Sequence, residues 1–273
     1  MIRIPRSGGT AAYLAAWLVP WRPAFKIQAA NSELKFFVHF RDLIGRHIAK
    51  YGVHEPIPSR WIHTYLTGKP PGLFVDVGAN LGWHAVHAAK HPSVETVVAF
   101  EPDPFNAWLL DRNLAENAIE NAIVSNAAVG GRCGSIHLHR YKSSNRGRHS
   151  LLANYGFGSR LVPLVDLDSA LAQLGLAEQP VNVLKIDVEG YEPAVIAGAT
   201  KTLERTAAVI LEYSPDLSRA GGLSGPEMVD RLLSAGFHSF ALDEQGAAIP
   251  VSIEKLRSFE GQMDLVMIKP AAR

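Results

Sequence analysis

Short apolar runs alternate with amphipathic stretches along most of the chain after residue 72. Runs rich in β-branched and aromatic residues predict strands at 73–77, 96–100, 123–125, 181–186, 207–211, 238–242 and 264–268. Apolar positions three and four residues apart predict helices at 83–90, 104–117, 169–175, 191–205 and 225–235. This alternation is typical of a doubly wound α/β sheet with mostly parallel strands. No helical pattern separates the last two runs, so we expect an antiparallel final strand.

The N-terminal part of the chain follows a different pattern. Apolar residues near a 3.6 period predict a helix at 31–51, and a shorter helix is predicted at 59–67. A Gly/Pro-rich segment at 68–72 then interrupts the chain. We therefore predict an N-terminal helical extension over 1–71 and an α/β domain over 72–273. Within that domain, 134–140 and 160–165 are predicted to be added strands around a polar loop.

Composition narrows the class of protein. Hydrophobic residues make up 47% of the 273 residues and charged residues 19%, which excludes a mainly disordered chain. Basic and acidic residues number 27 and 26, so no overall basic footprint for nucleic acid exists. The single cysteine, Cys133, excludes an intramolecular disulfide and favours a reducing compartment. We therefore expect a cytoplasmic protein that does not bind nucleic acid.

No apolar run reaches the roughly 18–20 residues of a membrane span. The longest candidate, 11–19, follows two arginines and resembles the apolar core of a signal peptide. Trp17, Pro20 and Trp21 interrupt it, and no good cleavage site follows. A helix that packs on the body of the protein, or that makes weak contact with a membrane surface, is the preferred interpretation.

The first strand of the α/β domain ends in a glycine-containing turn, FVDVGANLG at 74–82. Small residues at 78, 79 and 82 allow a ligand to approach the backbone, and the following helix start can bind an anionic group. The spacing is G-x-x-x-G rather than the G-x-G-x-x-G of dinucleotide sites. By itself the turn is also compatible with a purely structural role.

An acidic residue at the end of the next strand strengthens the interpretation as a nucleoside site. Glu101 stands 19 residues after Gly82, close to the separation that places a carboxylate on ribose hydroxyls. A carboxylate suits a vicinal diol because it accepts two hydrogen bonds. Asp103, followed by Pro104, has the alternative role of a helix N-cap.

Six segments in order, FVDVGANLG, VVAFEPDP, SNAAVG, VPLVDLDSAL, LKIDVEGYE and AAVILEYSP, resemble the FkbM family of S-adenosylmethionine-dependent methyltransferases. The resemblance covers about 52–269. It implies a Rossmann-like, seven-stranded sheet whose last strand is antiparallel. It also implies S-adenosyl-L-methionine as cofactor and methyl transfer to a hydroxyl group of a small molecule, such as a sugar, a lipid or a natural product.

The resemblance also implies positions for the cofactor-binding residues. Asp76, Gly78, Asn80 and Gly82, with Ala79 between them, would surround the methionine part, and Glu101 would hold the ribose. Pro102 and Asp103 would lie on one side of the adenine, and Ser125, Asn126 and Ala127 on the other. Asp187 would lie beside the sulfonium, and Glu55, in a GVHEP segment, would touch the cofactor.

Methyl transfer to a hydroxyl needs an aligned acceptor oxygen and a route for its proton. Asp187 ends an apolar strand and is the first candidate for this role, with Glu212 at the end of the neighbouring strand as the second. His149 is the third candidate, in a polar loop at 143–152 that we predict to close over the acceptor. The carboxylates at these strand ends could bind a divalent cation, but their spacing does not require one, so no metal is predicted.

Two other functions remain open from the residues alone. One is an NAD-dependent oxidoreductase on a similar fold, which the glycine spacing disfavours. The other is a non-catalytic nucleotide-binding module, which the acidic strand ends at Asp187 and Glu212 disfavour.

Overall fold

The computed structural model describes residues 24–142 and 144–270. Its strands are β1 (Phe25–Gln28), β2 (Lys35–Val38), β3 (Gly72–Val77), β4 (Val94–Phe100), β5 (Ala122–Ser125), β6 (Ala128–Val129), β7 (Gly134–His139), β8 (Ser159–Val165), β9 (Val181–Ile186), β10 (Thr206–Tyr213), β11 (His238–Leu242), β12 (Ala248–Pro250) and β13 (Met263–Ile268). Its helices are α1 (Leu43–Tyr51), α2 (Pro56–Leu66), α3 (Trp83–Ala89), α4 (Pro104–Glu116), α5 (Leu167–Gln173), α6 (Glu192–Ala197), α7 (Thr200–Glu204), α8 (Pro215–Ala220), α9 (Gly225–Ser234) and α10 (Ile253–Arg257).

A mostly parallel sheet forms the centre of the molecule, in the order β12–β11–β13–β10–β9–β3–β4–β5. The five strands from β10 to β5 pair in parallel, and β13 lies antiparallel between β10 and β11. All seven predicted strands belong to this sheet, and the antiparallel final strand is confirmed. The sheet has an eighth strand, β12, which the sequence pattern did not indicate.

The central strands are buried on both faces of the sheet. Every residue of β3 and of β9 is buried, as expected where helices cover both sides of a parallel sheet. Leu73, Val75 and Val77 belong to the core beneath α5, α6 and α9, whereas Phe74 belongs to the core beneath α1 to α4. Because successive side chains of a strand alternate between faces, Asp76 points to the same side as Phe74.

The N-terminal region corrects one predicted helix. Residues 35–38 of the predicted 31–51 helix form β2, which pairs antiparallel with β1. Phe36 and Val38 are fully buried and Lys35 is exposed, so the segment has the two-residue alternation of a strand within a dense apolar stretch. The helix begins only at Leu43, where the Asp42 side chain accepts hydrogen bonds from two backbone N–H groups.

Two further expectations need correction. The predicted 191–205 helix is two short helices, α6 and α7; the C-cap of α6 is Gly198, where a Cβ would collide with the carbonyl oxygen of Gly130. The segment 243–262, expected to lack a clear helix, holds the short helix α10, capped by the hydroxyl of Ser252. Outside the central sheet, the added strands are confirmed as β7 and β8, which form a three-stranded sheet with β6.

The segment 11–19, interpreted above as a helix on the body of the protein or at a membrane surface, lies outside the described residues. Within 24–142 and 144–270, no helix is long and apolar enough to cross a membrane. The division of the chain at residue 72 stays a prediction, and Ile48 and Trp61 from before that point pack in the same core as Phe74 and Val86.

Candidate active site

A cavity of about 450 Å³ opens at the carboxyl ends of β3, β4, β9 and β10. From β3 the chain continues to β4 on one side, and from β9 it continues to β10 on the other. Ligands of doubly wound folds bind at such a reversal of strand order. Predicted site residues that line the cavity are Glu55, Gly78, Ala79, Asn80, Glu101, Pro102, Ala127, His149, Asp187 and Glu212.

The turn after β3 requires its glycines for close packing. Gly78 has a φ of +81°, and a Cβ there would collide with the carbonyl oxygen of Asp187 at the end of β9. Gly82, with a φ of +87°, does not line the cavity; a Cβ there would collide with the Leu110 side chain of α4. Gly78 thus brings two strand ends together at the cavity, and Gly82 allows α3 and α4 to pack.

Glu101 is held by the backbone of two loops. Its Oε2 accepts a hydrogen bond from the Asn80 N–H at 2.8 Å, and its Oε1 accepts one from the Asp103 N–H at 2.8 Å. Burial raises the pKa of Glu101 to about 8, against the opposing effect of these two hydrogen bonds. The Asn106 side chain donates a third hydrogen bond, and the ionised carboxylate then keeps a lone pair that can accept a hydrogen bond from a diol.

Two of the other residues predicted beside the adenine make hydrogen bonds to the backbone of Glu101. Asn126 donates its Nδ2–H to the carbonyl oxygen of Glu101 at 2.6 Å, and the carbonyl of Ser125 accepts the Glu101 N–H at 3.1 Å. Asp103 caps α4 by accepting hydrogen bonds from Phe105 and Asn106. Ser125, Asn126 and Asp103 do not line this cavity. Asp103 instead borders a neighbouring cavity.

A buried lysine links two of the predicted carboxylates. The Nζ of Lys185 lies 3.4 Å from Asp76 Oδ1 and 3.5 Å from Asp187 Oδ2. Burial acts to lower the pKa of Lys185, but the two carboxylates outweigh it and raise that pKa. Asp76 is fully buried beneath the cavity, whereas Asp187 lines it. Asp76 therefore holds Lys185, and Lys185 in turn holds Asp187.

Glu55 lies between two imidazoles. Its Oε2 is 2.7 Å from His84 Nε2, and its Oε1 is 3.3 Å from His54 Nε2. Burial acts to raise the pKa of Glu55, but the two imidazoles outweigh it and lower that pKa. Glu55 adopts a left-handed φ of 41°, a strained conformation of the kind that concentrates at functional sites. All three residues line the cavity.

Buried carboxyl groups gather at the ends of β9 and β10. Burial raises the pKa of Glu212 to about 9, and neighbouring carboxylates, first among them that of Asp187, add to the effect. Burial likewise raises the pKa of Glu189 to about 7, against the Arg148 guanidinium 4.0 Å away. For Asp187, burial raises the pKa and Lys185 opposes the change. This end of the cavity therefore suits a cationic ligand.

His149 belongs to a different part of the cavity wall. Its Nδ1 accepts a hydrogen bond from the Tyr141 N–H at 3.0 Å, and its Nε2 lies 3.9 Å from Asp103 Oδ2. Burial lowers the pKa of His149, against the effect of Asp103. His149 is thus grouped with Asp103 near Glu101, and not with Asp187 and Glu212.

The polar loop predicted to cover the acceptor does border the cavity. Residues 145–149 line it, and Arg146–Arg148 form a single 3-10 turn. The Arg146 N–H donates to Asp42 Oδ1 at 2.6 Å, which ties the loop to the start of α1.

Several lining residues were not among the predicted site residues, chiefly Glu189, Lys185, His54, His84 and Arg148. Lys185 and Asp76 are register partners on the adjacent strands β9 and β3, a pairing that depends on strand order and register. The left-handed φ of 52° at Glu189 has no signal in the sequence. Over the described residues, no group of three or more His, Cys, Asp or Glu side chains is arranged to hold a metal ion.

Comparison with known proteins defines the class. The model of the methyltransferase FkbM domain matches residues 76–239, and the chain belongs to this family of methyltransferases. The match contains the glycine turn, Glu101, Asp187 and Glu212.

Two particular relatives are similar to part of this chain. Hexuronic acid methyltransferase AglP of Haloferax volcanii is 30% identical over 159 residues, 58% of this chain and 60% of AglP, which is less than two thirds of that protein. The 2-O-methyltransferase NoeI of Sinorhizobium fredii is 26% identical over 201 residues, 67% of this chain and 81% of NoeI. Among solved structures, the methyltransferase FkbM of Methylobacillus flagellatus KT has a TM-score of 0.46 at 15% identity, covering 72% of this chain and 43% of that one.

Proposed function

We propose that the protein is an S-adenosylmethionine-dependent O-methyltransferase whose acceptor is a hydroxyl group of a sugar or a similar small molecule. The observation that carries the proposal is the combination, in one cavity, of a carboxylate suited to a diol and an acidic wall suited to a cation. Glu101 supplies the first, and Asp187, with Glu189, supplies the second. A nucleoside that carries a positively charged sulfur matches both.

The residues present fit this cofactor. Glu101 would accept hydrogen bonds from the ribose hydroxyls, and Pro102 and Ala127 offer apolar contacts for the adenine beside it. The backbone at Gly78 and Ala79 leaves room for the methionine part, with Glu55 and Asp187 on the side of the sulfonium. When bound, the cofactor supplies an electrophilic methyl group. The protein must align the acceptor oxygen and accept its proton.

The different pKa values and partners of the three carboxyl groups favour a separate role for each of them. A general base works best when its pKa lies near the operating pH, which is the case for Glu189. Glu212, with its pKa raised to about 9, is protonated at neutral pH and can donate a hydrogen bond to the acceptor. Asp187 is paired with Lys185 and provides negative charge facing the cofactor. Glu189 would accept the hydroxyl proton while the acceptor oxygen takes the methyl group, the carbon–sulfur bond breaks, and the sulfur keeps that electron pair as a neutral thioether.

The names of the relatives support the type of acceptor. AglP is named for hexuronic acid, and NoeI is named a 2-O-methyltransferase. A sugar hydroxyl is therefore the acceptor that we propose for this chain, within the broader class of small molecules bearing a hydroxyl group.

The experiment that tests the function compares cofactors before it tests acceptors. Thermal unfolding of the purified chain should shift upward with S-adenosylmethionine and remain unchanged with NADH, since ligands that bind the native state raise its stability. Methyl-labelled cofactor is then incubated with a panel of neutral and acidic sugars, and labelled products are identified by mass spectrometry. Stabilisation by NADH alone would favour an oxidoreductase. Cofactor binding with no labelled product from any acceptor would favour a non-catalytic module.

A further inference from the structure

A second cavity of about 370 Å³ lies beside the cofactor cavity, and Arg146 and His149 border both. It is formed by the start of α4, by the segment between β7 and β8, which belongs to the polar insertion, and by the start of β8. The residues that line it are Asp103, Pro104, Phe105, Arg140, Tyr141, Arg146, His149, Phe157 and Arg160. None of the steps proposed above uses this cavity.

The second cavity is strongly cationic. Three guanidinium groups border it, from Arg140, Arg146 and Arg160, and its single carboxylate belongs to Asp103. Asp103 is already engaged, because it caps α4 and lies 3.6 Å from Arg146. In the part of the chain that the structure describes, no carboxylate lies within 4.0 Å of the guanidinium of Arg140 or of Arg160. Two guanidinium groups are therefore available to an anionic ligand.

Aromatic rings form the rest of the wall. Phe157 is 50% exposed, and its ring lies edge-on to that of Tyr141 at 6.2 Å. The guanidinium of Arg146 lies over the ring of Phe105 at 4.6 Å. Exposed aromatic faces beside polar groups suit a ligand with both an apolar face and a polar edge. A sugar ring has this character, because its C–H bonds form an apolar face and its hydroxyls lie at the edge.

We propose that this second cavity binds an acidic sugar unit of the acceptor. Arg140 and Arg160 would bind its carboxylate, since a guanidinium matches a carboxylate with two parallel hydrogen bonds. Tyr141 and Phe157 would pack against its ring. A neighbouring unit of the same acceptor would then present its hydroxyl in the cofactor cavity. The inference rests on the proposed function, because it assumes a saccharide acceptor, and it extends that function to the charge and size of the acceptor.

The test is direct binding, measured by calorimetry and by amide NMR on the full chain in the presence of S-adenosylmethionine. The probes are methyl β-D-glucuronide, methyl α-D-galacturonide, methyl β-D-glucoside and inorganic sulfate. We expect at least one uronide to bind with a Kd of about 10 mM or tighter and the neutral glucoside to bind at least about tenfold more weakly. The double variant Arg140→Gln/Arg160→Gln should weaken uronide binding ~10–100-fold, the range for lost charge-assisted hydrogen bonds.

Two variants serve as controls. Arg231→Gln, on the exposed face of α9, removes one positive charge elsewhere and should leave uronide binding unchanged. Phe157→Ser keeps both arginines and should weaken the uronide but not sulfate. No uronide binding at about 50 mM, equal affinity for the glucoside, or binding that survives the double variant would overturn the proposal. Sulfate binding as tight as that of the uronides would overturn the assignment to a sugar. Titration of S-adenosylmethionine without any sugar tests the proposed function separately, because only that function predicts its binding.

Discussion

At the scale of single residues, the charge of the site depends on a buried lysine. Lys185 and its register partner Asp76 are both almost inaccessible, and the ammonium lies between Asp76 and Asp187. Because a buried charge needs a partner, the ion pair fixes both side chains in place. Asp187 is then presented to the cavity beside the ammonium of Lys185, where it can face a cationic ligand.

Replacement of Lys185 should strongly destabilise the fold. Lys185→Met leaves Asp76 buried without its partner and should lower the free energy of unfolding by about 3–5 kcal/mol. The double variant Lys185→Met/Asp76→Asn removes both charges and should lose much less than the single variant, as measured by urea unfolding. A double variant as unstable as the sum of the two single ones would show that the two residues do not interact.

Glu189 determines the predicted pH dependence of activity. Because its pKa is raised to about 7, the fraction able to accept a proton increases as the pH rises through 7. We expect kcat to rise over this range with a sugar acceptor, and Glu189→Gln to lower kcat ~10²–10⁴-fold and abolish the rise.

The charged and titratable groups around Glu189 also affect this profile; they are Arg148, Asp187, Glu55, Glu212 and Tyr155. Arg148 lowers the pKa of Glu189, so Arg148→Met should move the rise to higher pH, and Arg148→Lys should move it less. Glu244→Gln, on an exposed turn, is the matched control. An unchanged pH profile in Glu189→Gln would assign the base to Asp187 or Glu212.

At the scale of elements, the polar insertion is attached to the first helix. Asp42 caps α1 with Oδ2 and accepts the Arg146 N–H with Oδ1. A Cβ on Gly147 would come within 2.8 Å of Ile44 Cδ1, so the loop lies closely against α1. One carboxylate therefore both begins a helix and holds the loop that borders both cavities.

Asp42→Ala should remove both contacts. Loss of the cap should lower the free energy of unfolding by about 0.5–2 kcal/mol. Hydrogen exchange should also become faster at the Arg146 amide, because its partner is gone. Ser252→Ala removes the cap of α10 and is the matched control, with a comparable loss of stability and no change at Arg146. Unchanged exchange at Arg146 in Asp42→Ala would show that other contacts hold the loop.

The central elements were predictable because their signals are local and repeated. The buried runs of β3 and β9 and the Asp103–Pro104 start of α4 can be read from the sequence. β2 was not predicted, because its alternation lies within an apolar stretch that also fits a helical period. Among site residues, the positions of Glu101 and Asp187 followed from strand ends, whereas Glu189 depends on a backbone conformation that no residue type signals.

At the scale of the whole molecule, the buried carboxyl groups of the cavity make the free energy of unfolding depend on pH. Burial raises the pKa values of Glu101 and Glu212 to about 8 and 9, so the folded chain retains protons that the unfolded chain has released. Where the native state binds more protons, stability falls as the pH rises. His54 and His87, whose pKa values burial lowers to about 4, have the opposite effect only below their ordinary pKa of 6.5.

The free protein should therefore lose stability from pH 7 to pH 9, as measured by urea unfolding at each pH. Glu212→Gln should make this loss smaller, because the neutral amide does not titrate. Glu227→Gln, whose carboxyl lies at the outer end of α9, should leave it unchanged. A slope that is the same in Glu212→Gln and the parent chain would contradict a raised pKa at Glu212.

The most direct test of the account is calorimetric titration of S-adenosylmethionine into the parent chain and the variant Glu101→Ala. Because the ribose hydroxyls would lose their hydrogen-bond partner at a cost of about 1–3 kcal/mol, we predict a ~10–100-fold loss of affinity in Glu101→Ala with the fold intact by circular dichroism. Glu95→Ala, at the exposed opposite end of the same strand, should bind like the parent chain. Unchanged affinity in a folded Glu101→Ala variant, or no binding by the parent chain, would contradict the assignment of this cavity to the cofactor.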